Sequence, residues 1–267
     1  MTFERARPID SLVPMARARR AAPARRAAAA VALACVGAVA SMPARAAHPS
    51  LTEDTGTQGA GHVELEIGST FAHGPDGRLR SLEPQLSIGL GERVDAILLP
   101  TFVAIDASDN GARGVGATTT DVKWRFAEVD GLDLAVRAGV DWPTGSDALG
   151  GARSSLHALL VATRRIGGTA LSFNAGLDRQ SPALGERRLV ARVGLGVVHP
   201  VHEAVTLVGD LAVQSNAAVG RTATPLVASA GLIARIAPTT FVDVGYRLAL
   251  NDAARPHALA AGLTFRW

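Results

Sequence analysis

The feature that most constrains this chain is a period-two alternation of apolar and polar residues that recurs along it. From Val242 to Leu250, for example, apolar residues alternate with Asp243, Gly245 and Arg247. Successive side chains of a strand point to opposite faces, so each such segment predicts a strand with one apolar face. We predict about twelve strands, at residues 61–71, 80–90, 94–105, 116–127, 132–140, 154–165, 169–177, 188–198, 204–214, 225–236, 240–250 and 257–267.

The predicted strands have a suitable length and spacing for a membrane barrel. Each has about ten residues, which is what a tilted strand needs to cross a bilayer. Short connections such as EVDG and IGG alternate with longer ones such as DWPTGSDALGGARSS and QSNAAVGRTAT. Short turns at one end and longer loops at the other are typical of outer-membrane barrels. A soluble β-sandwich also alternates, so the alternation by itself leaves both folds open.

The last strand favours the membrane barrel. In HALAAGLTFRW, apolar residues alternate with small or polar ones, and the chain ends on Phe265, Arg266 and Trp267. Outer-membrane barrels close on strands of this kind, whose final aromatic lies at the membrane interface. We expect the barrel-assembly machinery to recognise Phe265 and Trp267. Other aromatic residues predict a thin girdle, with Phe71, Phe102 and Trp142 at the outer edge and Trp124, Phe126 and Phe241 at the inner edge.

Residues 1–46 have the features of a secretory signal peptide. An arginine-rich stretch ends at Arg26, an apolar run extends from Ala27 to Ala40, and small residues precede a cleavage site after Ala46. Lipidation at Cys35, twin-arginine export and a start at Met15 are the alternatives. We therefore divide the chain into a cleaved signal peptide (1–46), a periplasmic or lumenal N-terminal lead-in (47–60) and an outer-membrane β-barrel (61–267).

The basic character of the chain belongs to this leader. The formal net charge is +3, but residues 1–46 hold 8 of the 27 basic residues and 2 of the 24 acidic ones. The remainder therefore has a net charge of −3, which does not suggest a nucleic-acid partner.

Export, loop asymmetry and the terminal aromatic together predict the fold: all-β, a single antiparallel transmembrane β-barrel of about 12 strands in the bacterial outer membrane. Charged residues opposite the apolar rows would then face the lumen and line a narrow polar passage. These are Asp121, Lys123, Arg125, Asp133, Arg137, Arg192, Asp210, Asp243 and Arg247. We also expect Glu53 and Asp54 of the lead-in to pair with lumenal arginines, as a small plug would.

Several short motifs suggest chemistry, but each has a simpler interpretation. The triplet Asp54-Thr55-Gly56 occurs in aspartic proteases, which need two carboxylates that share a proton, and the chain has no second triplet. HPVHE (199–203) and GARGVG (111–116) are interpreted as a polar turn and an outer loop, rather than as metal and phosphate sites. A membrane-embedded hydrolase would have to use His157 with Ser154 and Ser155, or His257 with Asn251 and Asp252.

The lead-in and the first strand resemble a known family. HPSLTEDTGTQGAGHVELEIG (48–68) is similar to the start of mature proteins in the "MetA-pathway of phenol degradation" outer-membrane family. DVKWRF (121–126) and PTG (143–145) are weaker matches. The resemblance implies an outer-membrane barrel that passes small, aromatic or hydrophobic compounds.

The sequence therefore predicts a channel or transporter for a small-molecule solute, surrounded by outer-membrane lipid. A structural or adhesion barrel without transport is the alternative, although the loops, of about 6 to 15 residues, are short for adhesion. We expect no enzyme activity, no catalytic or metal site and no cofactor.

Overall fold

A computed structural model describes residues 48–267, except 75–76, 107–110, 150, 183–184 and 255–256. The predicted signal peptide lies outside the described residues. Among the described residues, no helix is both long and apolar enough to span a membrane. The strands are β1 (Val63–Gly74), β2 (Gly77–Gly91), β3 (Val94–Asp106), β4 (Ala112–Val129), β5 (Leu132–Trp142), β6 (Ser155–Ile166), β7 (Thr169–Gln180), β8 (Leu189–His202), β9 (Val205–Gln214), β10 (Leu226–Ala237), β11 (Thr240–Ala249) and β12 (His257–Arg266).

These twelve strands form a closed antiparallel barrel, which confirms the predicted fold. Each strand pairs with its neighbours in sequence, and β12 closes the sheet by pairing with β1 from Glu64↔Arg266 to His73↔His257. Closure leaves no strand edge, so every strand can satisfy its backbone groups within the barrel wall. The short turns, the start of β1 and the end of β12 lie at one end of the barrel, which we call the turn end. The opposite end is called the loop end.

The two faces of the wall separate apolar from polar side chains, as the alternation predicts. Leu171 and Leu195 are 45% and 55% exposed on the outer face, whereas Val190, on the same strand as Leu195, is 1% exposed inside. The inner face buries many polar or charged side chains, which are Glu64, Glu66, Thr70, Ser87, Asp95, Asp121, Lys123, Thr163, Ser172, Asn174, Asp210, Asp243 and Thr264. This polar interior and apolar exterior are the arrangement of an outer-membrane barrel.

The short turns use residues suited to tight hairpins. Between β4 and β5, Asp130 and Gly131 have φ angles of 51° and 75°. Two consecutive positive φ angles define the turn type that matches the twist of paired strands, and Asp-Gly is a favoured sequence for it.

Several strands extend beyond their predicted bounds, and two of these extensions take in a motif that was predicted to be a loop or a turn. β4 begins at Ala112, so most of GARGVG is strand rather than loop, and Ala112 pairs with Ile105. β8 continues to His202, so most of HPVHE is strand rather than turn. A strand ends where its backbone pairing ends. In both places the pairing continues beyond the residues whose side chains alternate. The register shifts between Pro200 and His202, where proline has no N–H to donate.

The aromatic girdle differs from the prediction at one position. Phe71, Phe102, Trp124, Phe126 and Trp142 are all exposed on the outer face. Phe241 shares a face with Asp243 and points inward, where the Arg266 guanidinium lies 4.5 Å from its ring centroid. The alternation of β11 itself requires this, because residues two apart share a face.

The apolar outer face generates a prediction about stability. Leu195 lies midway along β8 on this face, and Leu195→Arg should lower the free energy of unfolding by about 2–4 kcal/mol, because lipid cannot solvate the charge. Urea titration of the barrel in lipid vesicles measures the change. Val219→Arg is the control, since Val219 is equally exposed but lies in the loop between β9 and β10. Equal effects of the two substitutions would contradict a lipid-facing β8.

Candidate functional site: the lumen and its N-terminal segment

The residues that precede β1 cross the inside of the barrel. This stretch, His48–Gln58, is called the N-terminal segment below. Near its end, the Gln58 backbone N–H donates to both oxygens of Asp95 on β3, and its side chain donates to Glu64 on β1. At its start, His48 Nδ1 lies 2.7 Å from Asp243 on β11. The segment therefore spans from the wall near β1 and β3 to the opposite strands.

Glu53 is the best-anchored residue of the N-terminal segment. Its carboxylate oxygens lie 3.0 Å from Lys123 Nζ and 2.7 Å from Arg137 Nη1. Its backbone N–H donates to Asn174 Oδ1 at 2.7 Å, and its backbone carbonyl accepts from Asn174 Nδ2 at 2.8 Å. Arg137 also binds Asp121. Because Lys123, Arg137 and Asn174 lie on β4, β5 and β7, three strands hold this one residue through ion pairs and hydrogen bonds.

The electrostatics of this anchor favour an ionised Glu53. Burial alone would raise the pKa of the Glu53 carboxyl, but the charges and hydrogen bonds of Lys123 and Arg137 outweigh burial and lower it from 4.5 to about 2. The ion pair is therefore intact across the whole neutral range.

The Asp54-Thr55-Gly56 triplet forms a local turn rather than half of an active site. Asp54 Oδ1 accepts a hydrogen bond from the Gly56 N–H at 2.7 Å, and Lys123 Nζ lies 3.8 Å from the same oxygen. Thr55 is 1% exposed, and its N–H donates to Thr163 on β6. An Asp that bonds the N–H two residues ahead is a common turn motif, and it accounts for this triplet.

A second polar anchor lies two residues before the triplet. The Thr52 hydroxyl donates to Asp210 Oδ1 on β9, and the Thr52 N–H donates to the same oxygen at 3.2 Å. The other oxygen of Asp210 accepts from Ser229 on β10 at 2.7 Å. The carboxylate of Asp210 is thus satisfied jointly by the wall and by the segment.

Glycines on the inner face make room for the N-terminal segment. A Cβ atom on Gly196 would lie 2.1 Å from Thr52 Oγ1, and one on Gly245 would lie 2.6 Å from Pro49. A Cβ on Gly68 would likewise lie 2.6 Å from the His48 ring. Non-bonded carbon contacts are near 3.5 Å or more, so a side chain at these positions would displace the segment.

The N-terminal segment divides the space inside the barrel unequally. A cavity of about 750 Å³ lies toward the loop end, and residues 48 and 50–53 form its floor. On the other side, a space of about 20 Å³ lies between the segment and residues of β1 to β4. The segment therefore lies between a solute-sized chamber and the turn end.

The structure places the predicted lumenal charges in two groups. Asp121, Lys123, Arg137, Asp210 and Asp243 lie at the N-terminal segment, in the contacts given above. Within the described part of the chain, the others make no hydrogen bond or ion pair with the segment: Asp133 is 3.4 Å from Arg165, Arg192 is 3.4 Å from Asp178, Arg125 donates to the Glu92 carbonyl, and Arg247 lines the cavity.

Several inward polar residues lie outside the predicted set of lumenal charges. Glu66, Glu83, Asp141, His157 and Asp178 all line the cavity. Each of them occupies the polar face of its strand, so the alternation could have predicted that they face the lumen. Asn174 was also missed, and only the fold reveals its bonds with Glu53.

The hydrolase candidates do not form a catalytic relay. His157 Nε2 lies 2.7 Å from Asp121 and its Nδ1 lies 3.6 Å from Asp141, so carboxylates occupy both ring nitrogens. The Ser155 hydroxyl donates to Asp141 rather than to the imidazole. The other candidate, His257, stacks on Tyr246, while Asn251 bonds loop backbone atoms near β10. A serine nucleophile is activated by a hydrogen bond to its base, and neither group shows one among the residues that the structure describes.

The HPVHE histidines also have ordinary partners. His199 Nδ1 lies 2.8 Å from the Thr169 hydroxyl, and His202 Nδ1 accepts from the Ala204 N–H. Within the described ranges, no group of three or more His, Cys, Asp or Glu residues is arranged to hold a metal ion.

The anchor at Glu53 generates a pH prediction. Its pKa is lowered on folding, so its stabilising effect is complete above about pH 4.5 and is lost as the pH falls toward 2. Glu53→Gln should lower the unfolding free energy by about 3 kcal/mol at pH 7, because it removes the carboxylate that pairs with both Lys123 and Arg137 inside the barrel. This difference should shrink between pH 4.5 and 2, as urea titrations of both proteins would show. Glu203→Gln, in the exposed β8–β9 turn, is the control, and a pH-independent difference would refute the ion-pair account.

Comparisons with known proteins identify the fold. No family model matches the chain, and no curated protein matches it in sequence. Among solved structures, an outer membrane channel from Pseudomonas putida F1 superposes with a TM-score of 0.64 at 16% identity, covering 80% of this chain and 98% of that chain. The NanC porin gives 0.57 at 9% identity, and the KdgM porin gives 0.51 at 9%, each covering 76% of this chain and 98% of the porin. This chain therefore has the barrel fold of outer-membrane channels and porins, in agreement with the predicted outer-membrane location.

Proposed function

We propose that the protein is an outer-membrane channel for small molecules and that its N-terminal segment closes the lumen. The observation that carries this proposal is the chamber of about 750 Å³, bounded by the wall and by a segment held only through non-covalent contacts. Its volume lies in the range of small-molecule sites. A solute that enters from the loop end can reach the turn end only if the segment moves.

The chamber wall supports a solute with both apolar and ionised parts. Leu79, Leu99 and Val227 line it beside charged residues such as Arg137 and Arg192. The resemblance of residues 48–68 to the phenol-degradation family adds aromatic compounds to the solutes proposed. An aromatic or aliphatic body with an ionised group would contact both kinds of surface.

The proposal includes assembly through the last strand. Phe265 and Trp267 stack with ring centroids 6.3 Å apart, and Trp267 is 62% exposed at the turn end. We propose that this aromatic pair is the feature the barrel-assembly machinery binds, while outer-membrane lipid contacts the rest of the outer face.

Planar-bilayer recording tests the channel and its closure together. The intact protein should conduct weakly, and deletion of residues 48–58 should open the lumen and raise its single-channel conductance severalfold. Gly196→Ala should raise the conductance in the same direction, because the new methyl group would overlap Thr52.

Gly209→Ala is the matched control for this experiment. Gly209 lies on β9, where a Cβ atom would come no closer than 3.4 Å to a neighbouring side chain. The conductance of the Gly209→Ala variant should therefore match that of the intact protein. An unchanged conductance after the deletion, in protein shown to be folded, would refute closure by the segment. If the barrel without residues 48–58 does not conduct at all, the proposal that the protein is a channel is refuted.

A further inference from the structure

Two opposite charges inside the chamber have no direct partner. Glu83 on β2 and Arg247 on β11 both line the cavity. Neither forms a hydrogen bond or an ion pair with any described residue, and the buried Arg247 Nε is unsatisfied. Arg247 feels the attraction of both Glu83 and Asp210 through space, but it forms an ion pair with neither of them.

Two other arginines that line the chamber do have carboxylate partners. Arg137 is paired with Glu53 and Asp121, and Arg192 lies 3.4 Å from Asp178. A charge that is partly withdrawn from water is costly unless another group solvates it. Water or a bound solute must therefore supply the missing partners of Glu83 and Arg247.

The floor of the chamber packs beside a close neighbour of each of these two residues. The His48 ring packs against Gly68, which is the cross-strand partner of Glu83. Pro49 packs against Gly245, which lies two residues before Arg247 on the same face of β11. His48 Nδ1 is bound to Asp243, while its Nε2 is buried without a partner and the residue lines the same cavity.

We propose that Glu83 and Arg247, with His48 between them, form a subsite for the zwitterionic head of a small solute. The solute's carboxylate binds the Arg247 guanidinium, which suits bidentate pairing, and its ammonium group binds Glu83. A simple anion would be repelled by Glu83 and a simple cation by Arg247, so a molecule with both charges fits best. This inference rests on the proposed function, in which the chamber is a solute compartment.

Calorimetric titration of the purified full-length barrel with 4-aminobutyrate tests the subsite. Butyrate and butylamine are matched probes, because each carries one of the two charges. We expect 4-aminobutyrate to bind at least tenfold more tightly than either. Equal binding of butyrate would reduce the site to a simple anion site and overturn the proposal, as would the absence of saturable binding.

Variants separate recognition from a structural role. Glu83→Gln and Arg247→Gln should each weaken 4-aminobutyrate binding at least tenfold. Arg80→Gln should not, because Arg80 pairs with Asp106 away from the cavity lining. Exchanging the charges, with Glu83→Arg and Arg247→Glu together, should restore binding, whereas a merely structural role predicts no rescue. Unchanged binding in both single variants would overturn the proposal.

The conductance of the segment-deleted barrel, compared with 4-aminobutyrate binding to the full-length barrel, distinguishes this inference from the proposed function. If the segment-deleted barrel conducts but 4-aminobutyrate does not bind, the subsite is wrong and the channel remains. If the segment-deleted barrel does not conduct, the channel itself is wrong, whatever binds in the chamber.

Discussion

The ion pairs of Glu53 with Lys123 and Arg137 are the contacts on which the interior of this protein depends. A twelve-stranded barrel is wider than one that wall side chains fill alone, so its lumen needs additional groups or stays open. Here a short stretch of the same chain supplies these groups. Glu53 fixes the middle of that stretch against β4 and β5. Hydrogen bonds between its backbone and the Asn174 side chain connect it to β7.

The wall is adapted to this occupant in two chemically different ways. Acidic side chains such as Asp95 and Asp210 accept hydrogen bonds from the N–H groups of an irregular stretch that has no strand partner of its own. Glycines such as Gly196 and Gly245 remove side chains where the backbone must pass closely. A backbone buried in a lumen must satisfy its polar groups there, and these carboxylates allow it to do so.

The sequence was sufficient for the wall but not for the interior. Alternation identified all twelve strands, because a lipid-facing row and a lumen-facing row impose opposite chemistry on neighbouring residues. It also placed Lys123, Arg137 and Asp210 on the polar face. It could not show which of these charges meet Glu53, because such pairs join residues as distant as 53 and 137 and depend on the register of several strands. The free charges of Glu83 and Arg247 were equally invisible as a pair, since only barrel closure brings β2 and β11 near each other.

The most direct test of the seated segment is thiol labelling of single cysteines in outer-membrane vesicles. Thr55→Cys and Ala60→Cys, each in a Cys35→Ser background, compare a site that is 1% exposed inside the lumen with an exposed site just outside it. If the segment occupies the lumen, a maleimide should label position 60 rapidly and position 55 at least tenfold more slowly. Equal rates of labelling at the two positions would contradict the account.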